Sequence, residues 1–121
     1  MFRDELQAAM ALTMLCRRAG IESHEDEMRG ELLWTERGPT CRARAMLEQW
    51  IPLDEPDRTI LKAASALWNG RHRPPASDLM QLRDERRVDV MSLITAEREG
   101  PGAVDRWIGE RRKEVGAAPT R

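Results

Sequence analysis

Residues 54–70 read DEPDRTILKAASALWNG, and this stretch decides the fold class. Ile60, Leu61, Ala64, Leu67 and Trp68 recur at the three- and four-residue spacing that lines one face of a helix. Asp54 stands where an N-cap belongs, and Pro56 is tolerated in a first turn whose amides lack partners anyway. Asp57 then lies near the positive end of the helix dipole. Asn69-Gly70 supplies the left-handed residue on which helices commonly stop. This is a helix with both ends marked and one face to bury.

The same signals repeat on the C-terminal side. Arg71-His72-Arg73-Pro74-Pro75 is an extended connection, because each proline pushes the residue before it out of the helical region. Ser77 starts a short helix carrying Leu79, Met80 and Leu82. Asp84 caps the next, with Val88, Met91, Ile94 and Thr95 along one side and Val90 and Leu93 beside them. Glu99-Gly100-Pro101-Gly102 breaks it. The last helix carries Val104, Trp107, Ile108, Arg111 and Val115, and residues 116–121 read as a frayed tail.

On the N-terminal side, Thr40 caps a helix with Ala43, Met46, Leu47, Trp50 and Ile51 on its inner face, stopped by Pro52. Ser23 caps another, striped by Met28, Leu32, Leu33 and Thr35 and ended by Arg37-Gly38-Pro39. The first helix carries Leu6, Met10, Thr13 and Met14, with Leu12, Leu15 and Cys16 on a second side. Arg17 and Arg18 suit the negative end of its dipole, and Gly20 stops it. Nothing alternates with period two over a strand's length, and no repeat is visible. The fold expected is all-α: a compact bundle of six to seven short helices with some orthogonal crossings, forming one domain over residues 1–115.

Composition excludes several classes. The chain has 121 residues, is 40% hydrophobic and 34% charged, and carries a net charge of −1. That is too apolar for wholesale disorder and too neutral for a strongly basic nucleic-acid binder. No apolar run approaches a membrane span. The opening residues Met1-Phe2-Arg3-Asp4-Glu5 put acids where an export signal needs a basic segment, so a cytoplasmic protein is expected. Cys16 and Cys41 are then expected as reduced, buried thiols.

Chemical signatures are sparse. In the acidic run Glu22, His24, Glu25, Asp26 and Glu27, His24 and Glu27 are three apart and Glu27 and Glu31 four apart, so each pair could share a helix face, but there is no Glu-x-x-His pair and only His24 and His72 as histidines. An acidic, solvated helix start is the simpler reading. Cysteines among apolar neighbours are poor nucleophiles, and no phosphate loop, nucleotide fingerprint or nucleophile elbow is present. The chain is therefore expected not to be an enzyme, to hold no metal and to need no cofactor. A helix-turn-helix reading places helices at 77–83 and 84–98, with Arg86, Arg87, Asp89 and Ser92 facing DNA. Residues 76–99 carry four arginines and six acids, which starves that reading of phosphate contacts.

Charge and tryptophan point to a protein partner instead. Residues 1–60 hold eight basic and twelve acidic side chains, and residues 61–121 hold twelve and nine. Arg71, Arg73 and the Arg111-Arg112-Lys113 run concentrate the positive charge. Trp50, Trp68 and Trp107 belong to apolar stripes and are expected in the core. Trp34 lies off its stripe, either as an exposed anchor or in a helix buried on two sides. The expected contact residues are Trp34, Arg71, Arg73, Arg86 and Arg87, acting in a non-enzymatic binding protein. A DNA-binding regulator and a structural homo-oligomer are the alternatives.

Ala66-Leu67-Trp68-Asn69-Gly70, Ser77-Asp78-Leu79 and the Asp84–Ile94 helix together resemble a small uncharacterised all-helical family carried on bacterial mobile elements and prophages. The resemblance covers residues 58–98 and transfers no site residues. It implies a phage or mobile-element setting, where small proteins often inhibit host machinery, anti-CRISPR proteins among them.

Overall fold

The Asp4 carboxylate accepts the Gln7 amide at 2.8 Å and so caps the first helix, α1, Glu5–Arg18. The computed structural model describes residues 1–21 and 33–117. α1 ends on Ala19, and Gly20 follows with φ of 75°. The Gly20 amide donates to the Arg17 carbonyl and the Ile21 amide to the Cys16 carbonyl, the paired bonds of a Schellman stop. The chain then forms α2 (Cys41–Leu47), α3 (Glu55–Asn69), α4 (Ala76–Met80), α5 (Asp84–Glu99) and α6 (Pro101–Ala117). The molecule is an all-α bundle, with one small hairpin besides among the described residues. Asp54 and Thr40 are the N-caps expected, while the caps of α4 and α5 are Pro75 and Arg83. α6 is helical through Ala117, past the start of the expected tail.

α1 is the hub and packs against α3, α5, α6 and the hairpin. Leu12, Leu15 and Cys16 meet Trp34, Met46, Ile60, Leu61, Val90, Leu93, Val104 and Trp107 in one continuous core. An alanine-rich face (Ala8, Ala9, Ala11) lets the neighbours approach closely, whereas Leu6 and Met10, expected inside, are exposed.

Four further expectations change. Residues 33–39 do not end a helix. Trp34–Thr35 and Gly38–Pro39 pair as antiparallel strands β1 and β2. The Thr35 hydroxyl accepts the Arg37 amide and donates to the Gly38 carbonyl, each at 3.2 Å, which closes the turn. Gly38 has φ of 109°, and a Cβ there would lie 3.3 Å from the Trp68 indole nitrogen. The Ser23–Leu32 part of that expected helix, and the Glu22–Glu27 acidic cluster with it, lie outside the described residues.

Second, α2 stops at Leu47, short of Ile51. The Trp50 amide donates to the Ala45 carbonyl and the Gln49 amide to the Met46 carbonyl, with Gln49 left-handed at φ 67°. This Schellman stop turns Trp50 outward, 80% exposed and not in the core. Third, Cys41 is exposed in the first turn of α2, while Cys16 is buried, and no disulfide joins them.

Fourth, α5 is rotated from its expected setting. Val90, Leu93 and Ala96 point inward with Asp89, while Val88 and Met91 are exposed. The cause is a charged cluster. Asp89 accepts Arg18 Nε of α1 at 2.8 Å and Arg111 Nε of α6 at 3.4 Å. Ser92 Oγ receives Trp107 Nε1 at 2.9 Å and the Arg111 guanidinium at 3.1 Å. The Arg111 guanidinium sits 4.6 Å from the centroid of the Trp107 ring. A buried carboxylate requires such partners, so the ion cluster fixes which side of α5 faces the core.

Candidate functional site

The connection from α3 to α4 is built to hold two arginines outward. Gly70 ends α3 left-handed, and Asn69 Oδ1 accepts the Arg71 amide at 3.0 Å. His72 also adopts a positive φ, 63°, and its Nδ1 lies 3.0 Å from the buried Ser65 hydroxyl. Pro74 is buried, and Pro75 caps α4 with its fixed φ. Arg71 and Arg73 stand exposed on either side of His72.

Beside this turn runs an open groove. Ala63, Ala66 and Leu67 of α3, Leu79 of α4 and Ile94 of α5 form its apolar floor, with Arg73, Glu97 and Arg98 among its lining. The Glu97 carboxylate lies 3.3 Å from the Met1 nitrogen. Among the described residues, the side chains of Arg71, Arg73 and Arg98 have no hydrogen-bond or ion-pair partner. Apolar surface flanked by unmatched guanidinium groups suits a segment that presents apolar side chains and carboxylates together.

The other expected contact residues are placed elsewhere. Trp34 is fully buried, its ring tilted against Trp68 at a centroid distance of 6.0 Å, so it offers no anchor. Its indole N–H is buried without a partner. Arg86 is engaged internally, donating to Asp57 Oδ1 and to the Ala19 carbonyl, each at 2.8 Å, and ties α5 to α3 and to the end of α1. Arg87 is half-buried and does not line the groove. On the face expected to read DNA, Asp89 and Ser92 are turned into the α1–α5–α6 cluster.

Two groups were missed in the sequence. Leu79 of α4 and the Ile94–Arg98 pair of α5 come from two separate helices, so no local pattern joins them to Arg73. Trp50 was read as core because its spacing continues the stripe of α2.

Charge is also matched where the start of α1 meets α6. Arg3 donates to Asp105 at 2.6 Å, and Gln7 Nε2 donates to the same carboxylate at 2.9 Å. The Arg3 hydrogen bond, followed by that of Gln7, holds the Asp105 carboxyl below its ordinary range, and Asp105 raises Arg3 in return. Among the described residues, no group of three His, Cys, Asp or Glu side chains is placed to hold a metal ion. No helix among them is long and apolar enough to cross a membrane. No family model, curated protein or solved structure matches the chain.

Proposed function

We propose that this protein is a non-catalytic binding module that docks an acidic, partly apolar protein segment in the α3–α4–α5 groove. The observation that carries the reading is the pair Arg73 and Arg98, without partners among the described residues and lining an apolar floor, with Arg71 equally unpartnered on the same turn as Arg73. Arg is enriched at interface hot spots because one side chain combines stacking surface with a forked donor set. Holding Arg71 and Arg73 on a turn pinned by Asn69, Ser65 and Pro74 lowers the ordering cost of binding.

The test compares wild type with the Arg71→Glu/Arg73→Glu double variant as bait in extract of the native host, read by quantitative mass spectrometry. An acidic protein retained by wild type and depleted at least about tenfold on the variant, a difference of ~1.4 kcal/mol, supports the reading. Equal retention by both baits refutes it. The resemblance over residues 58–98 adds the idea that such docking inhibits a host machine.

A further inference from the structure

The outward face of α5 carries a heptad seam. Asp84, Val88, Met91, Thr95 and Arg98 are spaced by four, three, four and three residues, and all five are exposed. That spacing is the one on which two helices pack along their length. Val88 and Met91, 57% and 43% exposed, are its apolar centre. The ends carry opposite charges, Asp84 at the N-terminal end and Arg98 at the C-terminal end. Beside the seam, Ala96, Ala103 and Trp107 line an open groove between α5 and α6.

We infer that this face pairs with a second copy of the same chain, α5 against α5 in antiparallel alignment. The charge order of the seam is self-complementary in the antiparallel direction, which fits a second copy of the chain. An antiparallel pair with its two-fold axis between Val88 and Met91 sets Val88 against the partner's Met91. Asp84 then lies within one turn of the partner's Arg98, and the same contact recurs at the other end because the interface is isologous. A parallel pair would set Asp84 against the partner's Asp84 and Arg98 against the partner's Arg98, which repel. The groove beside the seam receives the flexible Met91 side chain of the opposite copy. A four-turn seam is shorter than a standard stable interface, so the dimer is weak and depends on concentration.

This inference shares Arg98 with the groove reading but not Arg71 or Arg73, so the Arg71→Glu/Arg73→Glu variant probes the groove while leaving the seam intact. Sedimentation equilibrium from micromolar to millimolar protein tests it, with helix content of every variant checked by circular dichroism. Wild type should rise from one chain mass toward two across that range. Met91 is solvent-exposed enough in the monomer to accept a carboxylate, so Met91→Glu should keep the helix content and stay monomeric. Asp84→Arg and Arg98→Asp should each weaken association about tenfold or more, and the double variant Asp84→Arg/Arg98→Asp should restore it. A wild-type chain monomeric throughout, a Met91→Glu variant that still dimerises, or a double variant no better than the singles would each overturn the assignment.

Discussion

Replacing Asp89 by Ala removes the acceptor shared by Arg18 and Arg111 while leaving both guanidinium groups in place. Asp89 is 5% exposed, and the side chains of Arg18 and Arg111 are 17% and 12% exposed. The contact to Arg18 at 2.8 Å is a full charged hydrogen bond, whereas that to Arg111 at 3.4 Å is long and contributes less. A charged hydrogen bond is worth ~1.5–3 kcal/mol, and stripping one partner from a buried pair costs ~3–5 kcal/mol. Both arginines keep an edge in water, which lowers the penalty. The expected loss is therefore about 2–4 kcal/mol, inside the ~5–15 kcal/mol that a domain of this size holds. Urea unfolding followed by circular dichroism reads it directly, with an unchanged denaturant slope showing that the variant still unfolds as one unit. Replacing the whole cluster, Arg18→Met/Asp89→Leu/Arg111→Met, should recover at least half of the loss, because no charge is then left buried alone. If Asp89→Ala unfolds within ~0.5 kcal/mol of wild type, the ion cluster does not hold α1, α5 and α6 together.

Three smaller perturbations follow from backbone and charge. Gln49→Gly relieves a left-handed non-glycine residue and should stabilise by about 0.5–1 kcal/mol in the same assay, after the greater freedom of glycine in the unfolded chain is subtracted. Gly38→Ala combines a forbidden φ with a Cβ 3.3 Å from the Trp68 indole. It should cost more than ~1 kcal/mol and shift the intrinsic tryptophan emission. The Asp105 carboxyl is lowered in the folded chain, so its contribution is present above the ordinary value of 3.8 and is lost as pH falls through the lower folded value. Asp105→Asn should remove that part of the acid-side slope of stability, and an identical slope in the two proteins would contradict the Arg3–Asp105–Gln7 contact.

The helix boundaries were legible wherever a local residue forces them. Gly20 and Gly70 take the left-handed stops, Asp54 and Thr40 take the caps, and Pro56 falls in a first turn. The rotation of α5 was not legible, because both of its sides are apolar. Val88 and Met91 compete with Val90 and Leu93, and the choice is made by Asp89 meeting arginines from α1 and α6, seventy-one residues before it and twenty-two after it. Trp50 misled for a related reason. Its spacing fits the stripe of α2, but the helix stops at Leu47, well before Pro52, and the left-handed stop falls on Gln49, a residue that carries no turn signal. The β1–β2 hairpin is two residues per strand, too short for any alternation to register. At the candidate groove, Arg71 and Arg73 stood out as charge beside two prolines. Arg98 and the apolar floor did not, because tertiary packing alone assembles them.

Fluorescence anisotropy of a labelled peptide that alternates glutamate and leucine turns along one helix, titrated with wild type and with Arg71→Glu/Arg73→Glu, tests the docking claim most directly. A duplex DNA titrated in parallel over a salt series serves as the comparison. The account predicts saturable binding of the acidic peptide by wild type, a loss of about tenfold or more in the variant, and no comparable binding of the duplex. Tight duplex binding that falls steeply with salt, or a peptide affinity indifferent to both charge reversals, would contradict it.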